Sequence, residues 1–469
     1  MVCPELYQKA LGNLYSETMG YATVHVAALT PYRRKRYKGD QLEEQICRSS
    51  PVNRGKSGGE RDIVNLWKGI YRSKGWNKYA PFNSTGGFNT PYALFKAKNV
   101  TSVEMRATKW MKARPIAPGT KHPMRKMLHL AGRAWYFLAR RRECPNSFVI
   151  DKSEDVPKFL QEVAQKLQGK GELSYVIKDI DSCYPRMPKH AIRMAMRDHI
   201  QQICATSGQR GVSVPRYSDS KPCEWRKRSS EDRRYVWLPF GVMIDVMEFA
   251  LEHAFIKMPD GTLKRQVEGI PMGDALSPAM TVITCAWMES EWQKTLTHSD
   301  QQMFDARRFM DAILMVYAKS DKWEHDRFIR DVTKSEIYWP PLKLEDAKEA
   351  TFLETTFRVN AKGQFDYWLK NDNDTARKVW RYQHWRSHTP FAQKKALVVA
   401  CMRKVHKMAS DQAQRYCSAV NKLREFIALQ YPTPLLQSIC NLMAYTTNEP
   451  IWITIRKSIN DIDATRLAG

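Results

Sequence analysis

Two aspartates, Asp179 and Asp311, each end or punctuate a short apolar run. Leu173 to Asp179 reads as a buried strand running into an acid. Phe309-Met310-Asp311-Ala312 lies between Arg308-Phe309-Met310 and Ile313-Leu314-Met315-Val316 and reads as the tip of a β-hairpin. Carboxylates brought together from separate strands are what two magnesium ions handling a triphosphate require. Such acids repel when close, and the cations supply the compensation. One acid at a strand end is usually a turn or cap residue, so the weight rests on order and spacing. Asp311 follows Asp179 by 132 residues, with a Gly/Pro turn at 269–273 and a helix between them. The residue after Asp311 is Ala312, so this hairpin tip carries one acid and not two.

The scaffold that must position these acids is large. A chain of 469 residues suits two or three domains. Hydrophobic residues at 43%, with fourteen Trp, twenty Tyr and seventeen Phe, supply cores and argue against disorder. Coarse periodicity gives helices near Glu5–Met19 and Glu60–Tyr71, a strand edge at Lys112–Ile116 and a helix from Pro123. An amphipathic helix follows at Pro188–Ile203 and a buried helix at Gly241–Ile256. After the 269–273 turn, Leu276, Ala279, Met280, Ile283 and Trp287 keep helical spacing. Beyond the hairpin come a helix near Lys322–Ile337 and strands at Thr351–Val359 and Gln364–Leu369. The pattern is helical from Pro390 to near the end. The polar stretch 206–235 reads as an inserted surface loop.

Lys+Arg number 75 against 49 Asp+Glu, a formal net charge of +26, which implies a polyanionic partner. From Met105 to Arg142 there are eleven basic residues and no acid. Ala376–Ser410 holds nine, again without an acid, interleaved with Trp380, Tyr382, Trp385 and Phe391. That mixture suits phosphate neutralisation with stacking; a solvated basic helix with aromatics in its core is the plainer alternative. The ten cysteines form no CxxC pair and no disulfide framework, which disfavours a zinc site and favours a reducing compartment. No secretory signal and no apolar run long enough to span a bilayer is present, so no membrane partner is expected. Arg33-Arg34-Lys35-Arg36-Tyr37-Lys38 reads as a nuclear address, a phosphate-binding arm or a solvated loop.

Together these parts resemble a reverse transcriptase, most similar to the Penelope-like retroelement family. Asp179-Ile180-Asp181-Ser182-Cys183-Tyr184-Pro185-Arg186-Met187-Pro188 resembles that family's first palm motif. Gly269-Ile270-Pro271-Met272-Gly273-Asp274-Ala275-Leu276-Ser277-Pro278 resembles the second, and Arg308 to Ala312 the third. Phe352-Leu353-Glu354 resembles the primer-grip region, Arg381 to Pro390 with the basic helix after it the thumb, and Lys112-Ala113-Arg114-Pro115-Ile116 the fingers. The resemblance covers about residues 105–445 and implies an α+β, right-hand polymerase fold. Residues 1–104 are an unassigned N-terminal extension and 105–172 the fingers. Residues 173–370 are a palm of antiparallel sheet plus helices, and 371–469 a helical thumb and C-terminal extension.

The resemblance also implies roles. Asp179 and Asp311 would be catalytic metal ligands, with the Ile180 carbonyl completing a shell for Mg²⁺, or Mn²⁺ as the alternative. Arg114 and Lys112 would neutralise the dNTP triphosphate. Tyr184 would block a 2′-hydroxyl, and Gly273 would let backbone approach the nucleotide. Arg377, Lys378, Arg381, Trp385, Arg386, Lys394 and Lys395 would contact an RNA template, a DNA primer or their hybrid.

Three departures from the family pattern bear on activity. Ala312 replaces the second acid, Asp274 stands where small or hydroxyl residues are more usual, and the endonuclease module that often follows the thumb is not expected within this sequence. Asp181, two residues from Asp179 and on the same face if the strand continues, is a candidate stand-in for the missing acid. Two functions are therefore expected in competition: an RNA-directed DNA polymerase, and a weakened or inactive relative that grips nucleic acid without extending it. Tyr184 and the thumb argue against an RNA-dependent RNA polymerase.

Overall fold

The computed structural model describes residues 4–24, 58–95, 113–141, 147–217, 221–225, 232–320, 328, 334, 336–347, 351–370 and 382–462. The chain divides into two units, neither of them a continuous segment. The first is Met1–Ser147, Asp181–Trp292 and Ser335–Lys343; the second is Phe148–Ile180, Gln293–Lys334 and Leu344–Gly469.

In the second unit the expected acid-bearing strands form as Glu172–Ile180 and as the hairpin Phe304–Phe309 with Ala312–Lys319. With Leu344–Asp346 they make a four-stranded antiparallel sheet, in the order Leu344–Asp346, Glu172–Ile180, Ala312–Lys319, Phe304–Phe309. Ile313 through Ala318 are all buried, as a strand covered on both faces must be. Helix Val156–Leu167 covers one of those faces. Its Val156, Phe159, Leu160, Val163 and Leu167 recur at helical spacing and share one core with Leu173, Leu314, Val316 and Ala318. Each such side chain contributes about 1.5–3 kcal/mol on burial.

The stretch Thr351–Val359, expected as one strand, is two. Leu353 and Glu354 have φ of 49° and 65° and reverse the chain, so Thr351–Phe352 pairs back on Thr355–Val359. Two successive left-handed residues make a tight hairpin turn that normally advertises itself with Asn or Gly; Leu-Glu carries no such sign. Phe365–Leu369 completes this small sheet. Helices Phe391–Lys407, Gln412–Ala428, Thr433–Thr447 and Ile451–Ser458 enclose a further core containing Val398, Met402, Leu423, Phe426, Leu436 and Trp452.

The first unit is built on the helices Gly58–Ser73, Arg125–Ala139, Lys189–Ser207 and Phe240–Glu252. It also has a three-stranded sheet of Tyr21–Thr23, Leu263–Gln266 and Phe255–Lys257, and the antiparallel pair Tyr92–Phe95 with Ala113–Ile116. Within the expected loop 206–235 lies the strand Gly211–Pro215, buried along its whole length and paired with Tyr235–Pro239. Charged and Ser-rich neighbours on either side conceal that five-residue run. The helix expected near Lys322–Ile337 falls largely outside the described residues. No helix among the described residues is long and apolar enough to cross a membrane.

The core of this unit is aromatic. Trp67, fully buried, stacks on His122 at 4.8 Å and meets Phe88 and Phe249 edge-on. Burial drives the His122 imidazole down to about 4, with His253 adding repulsion. His253 falls to about 4 as well, through burial and then the charges of Arg265 and Lys189. Both rings are neutral in the folded protein, and His122 Nδ1 accepts from the Met124 amide at 3.1 Å. Below pH 6.5 the unfolded chain binds protons that the folded chain refuses, so stability present above that pH is lost on acidification toward 4. Denaturation followed by tryptophan fluorescence should show a loss of about 2 kcal/mol per histidine between pH 6.5 and 5. His253→Gln should roughly halve that pH dependence; an unchanged slope would place the titration elsewhere.

Candidate active site

The strand register sets the acids. Asp179 is paired with Ala312, and the Ile180 amide donates to the Asp311 carbonyl at 2.8 Å. Because 180 and 311 share a hydrogen bond, 179 and 312 form the closer, non-hydrogen-bonded kind of pair, with Cα atoms about 4.5 Å apart. Asp311, in the turn one residue before Ala312, thus lies diagonally across from Asp179 and is exposed at the hairpin tip, while Asp179 is half-buried. Cross-strand partners share a face, so Glu345, Asp179, Ala312 and Phe309 form one row. The next row, Asp346, Lys178, Ile313 and Arg308, faces the other way.

That rear row contains two buried cations the sequence did not single out. Lys178 is 7% exposed and bonds Asp346 at 2.7 Å. Arg308 is fully buried and donates from Nη1 to the Met310 carbonyl at 2.9 Å. Met310 has a φ of 54°, a left-handed conformation for a side-chain-bearing residue at the turn that presents Asp311.

No group of three or more His, Cys, Asp or Glu side chains able to hold a metal exists among the described residues. One carboxylate on a strand and one on the adjoining turn still fit magnesium, which takes one or two protein carboxylates and fills its octahedron with water and phosphate oxygens. Asp181 does not extend this donor set. The strand ends at Ile180, and Asp181 is bonded by Arg186 Nη1 at 2.8 Å and by the Ser182 hydroxyl at 2.9 Å.

In the first unit, Tyr184 sits half-buried in the short helix Cys183–Arg186, and its carbonyl accepts from the Ile270 amide at 2.8 Å. Gly269, at a φ of +68°, lies so close that a Cβ there would stand 2.1 Å from the Pro185 carbonyl oxygen. Gly273, at +113°, likewise abuts backbone: its Cβ would stand 2.9 Å from the Ala117 carbonyl oxygen, and the Ala117 amide donates to Met272 O at 2.7 Å. The close approach of the Ala117–Pro118 backbone is by itself enough to require glycine at 273. Arg114 is exposed on Ala113–Ile116, the strand leading into Ala117. Lys112 lies outside the described residues.

Asp274 closes a local turn ahead of the helix Ser277–Lys294, its side chain accepting from the Leu276 amide at 2.8 Å. Burial pushes its carboxyl up from the usual range, and it lines a cavity of about 40 Å³ with His122, His253 and Gln266. Gly132, not noticed in the sequence, allows the Ala275 carbonyl to reach within 2.4 Å of where its Cβ would be.

Of the expected nucleic-acid contacts, Arg386 and Lys395 are exposed. Lys394 is not: it is 7% exposed, and its ammonium donates to the carbonyls of Trp385 and Ser387. Trp385 is half-buried, its ring against Tyr431 and Phe391 and its amide on Leu429 O. Both are committed to holding the segment before Phe391–Lys407 and present little to a ligand. Arg377, Lys378 and Arg381 lie outside the described residues. An open groove of about 780 Å³ runs along Phe391–Lys407, lined by Ala392, Ala396 and Val399 and by Lys395, Arg403 and Lys407.

No family model and no curated protein matches this chain. Solved structures do. Telomerase from Candida albicans in complex with a TWJ fragment of telomeric RNA superposes with a TM-score of 0.51 at 15% identity, covering 84% of this chain and 68% of that one. Sicinivirus 3Dpol RNA-dependent RNA polymerase gives 0.44 at 12% identity over 97% of this chain and 86% of that chain. Apo telomerase from Candida tropicalis gives 0.39 at 16%, over 75% of this chain and 55% of that one. At these identities the likeness concerns fold, and the fold is that of a right-hand nucleic-acid polymerase.

The glycine contacts are testable. Gly269→Ala should destabilise the protein by more than about 3 kcal/mol, since a left-handed alanine alone costs about 1–2 kcal/mol and the clash adds to it. Gly12→Ala, with nothing within 4 Å of the added methyl, should be neutral or slightly stabilising in its helix. Equal urea midpoints for the two variants would refute the close approach.

Proposed function

We propose that this protein is an RNA-directed DNA polymerase of Penelope-like type, which adds a deoxynucleotide from a dNTP to a primer 3′-hydroxyl. The observation that carries this reading is the pairing of Glu172–Ile180 with Ala312–Lys319, which sets Asp179 beside the turn that carries Asp311. In it, the Asp179 and Asp311 carboxylates with the Ile180 carbonyl would hold Mg²⁺, or Mn²⁺, which would supply acidification of the primer hydroxyl and neutralisation of phosphate charge. The primer oxygen attacks the α-phosphorus in line and pyrophosphate departs. Arg114, and Lys112 with it, meets the triphosphate as a forked cation. Tyr184, whose carbonyl accepts from the Ile270 amide, would in this reading exclude a 2′-hydroxyl. The groove along Phe391–Lys407, lined by apolar side chains and by Lys395, Arg403, Lys404 and Lys407 against the acid Glu154, suits a sugar-phosphate backbone. The telomeric RNA fragment bound in the Candida albicans telomerase structure supports RNA as a partner.

Ala312 favours a second reading, a protein that grips a primed template without extending it. Primer extension on a primed RNA, with dNTP against NTP and Mg²⁺ against Mn²⁺, separates the two. Extension with dNTP, abolished at least about 100-fold by Asp179→Asn or Asp311→Asn, is the expected result. Binding that weakens steeply between 50 and 200 mM salt, with no extension, would favour the second reading.

Ala312→Asp places a carboxylate directly opposite Asp179. Without divalent ions it should lower stability by about 1 kcal/mol through like-charge repulsion. With Mg²⁺ it should recover that loss and lower the half-saturating Mg²⁺ concentration. A melting temperature indifferent to Mg²⁺ in this variant would argue against a metal between these strands.

A further inference from the structure

We infer that Arg308 is a positioning residue whose buried guanidinium sets the conformation of the Met310–Asp311 turn, and with it the aim of the Asp311 carboxylate. Its importance for catalysis rests on the polymerase reading; its effect on the turn does not.

Arg308 is fully buried. Taking a guanidinium out of water is costly and is tolerated only where its donors are used. One of them reaches two residues along the chain to the Met310 carbonyl at 2.9 Å. Met310 is the left-handed residue of the turn, a conformation that an unbranched side chain adopts only when its surroundings hold it there. The next carbonyl, that of Asp311, is taken by the Ile180 amide at 2.8 Å. Two successive carbonyls of the turn are therefore held from opposite flanks, one by the hairpin's own strand and one by the strand bearing Asp179. The Asp311 side chain is left exposed on a fixed backbone.

The platform beneath is itself anchored. The Arg308 amide donates to Phe148 O, the Arg308 carbonyl accepts from Ile150 N at 3.0 Å, and Arg308 pairs with Ile313 in the sheet. A planar, multi-donor head can serve a neighbouring carbonyl while satisfying its other contacts; a lysine ammonium is a shorter, single-point donor and cannot reproduce that geometry. With Ala312 in place of a second acid, the aim of the one remaining acid on the turn has no neighbour to compensate for error.

Residue-resolved hydrogen exchange on the full chain tests this without any activity. In Arg308→Lys, the Ile180 amide, which reports on the turn through its bond to Asp311, should exchange at least 10-fold faster. The amides of Val176 and Met315, deeper in the same sheet, should keep their wild-type rates. An unchanged Ile180, or all three amides accelerating together as in general destabilisation, would overturn the proposal. Arg308→Met should give the same pattern if it folds, but the lysine variant alone decides. In primer extension, Arg308→Lys should lower kcat about 10-fold or more with the KM for dNTP within about twofold; a raised KM at unchanged kcat would count against positioning. Should wild type fail to extend any primer, the polymerase reading falls while the exchange data still decide the role of Arg308.

Discussion

Eight cross-strand pairs join Glu172–Ile180 to Ala312–Lys319, and every claim about the acids passes through them. The pairing is locked by hydrophobic packing and not by the acids themselves. Leu314, Val316 and Ala318 point into the core shared with helix Val156–Leu167, and a slip of one residue would turn all three away from it. The same slip would break the pairing of Ala312 with Asp179 and displace Asp311 relative to that acid. The placement of a chemically important carboxylate is thus decided by apolar side chains well down the strand.

A different constraint organises the first unit, where the backbone itself is the packing surface. Gly269 receives the carbonyls of Tyr184 and Pro185, Gly273 that of Ala117, and Gly132 that of Ala275. Three segments distant in sequence are drawn onto the 269–275 turn, with no side chain between them. Such contacts are short and stiff, and leave the turn little freedom to relax around a ligand.

Much of this was legible in the residues. Apolar runs ending in Asp179 and flanking Asp311 announced strands, and the Gly/Pro turn followed by helical periodicity announced what lies between. The fold class followed from the order of those parts. What stayed hidden depends on pairing and on direction. A lysine reads the same in sequence whether it faces solvent, like Lys395, or inserts between carbonyls, like Lys394. Arg308 sits inside a quoted motif, yet nothing in its neighbours says that it is buried. Asp181 looked available because strand continuation was assumed; the chain instead turns, and Arg186, five residues on, takes the charge. Reversal at Leu353–Glu354 escaped because those residues seldom adopt the turn they form.

The discontinuity of the two units has a consequence for how the chain is made. Glu172–Ile180 finds its place only beside Ala312–Lys319, and at ribosomal speeds of about 5–20 residues per second those residues arrive roughly 7–25 seconds later. During that interval an apolar strand has left the ribosome without its central neighbour, while residues of the other unit are still being added. Nascent chains stalled within the intervening segment should be the ones most prone to engage chaperones, and cutting the gene at any of the five unit boundaries would separate a strand from the sheet it completes.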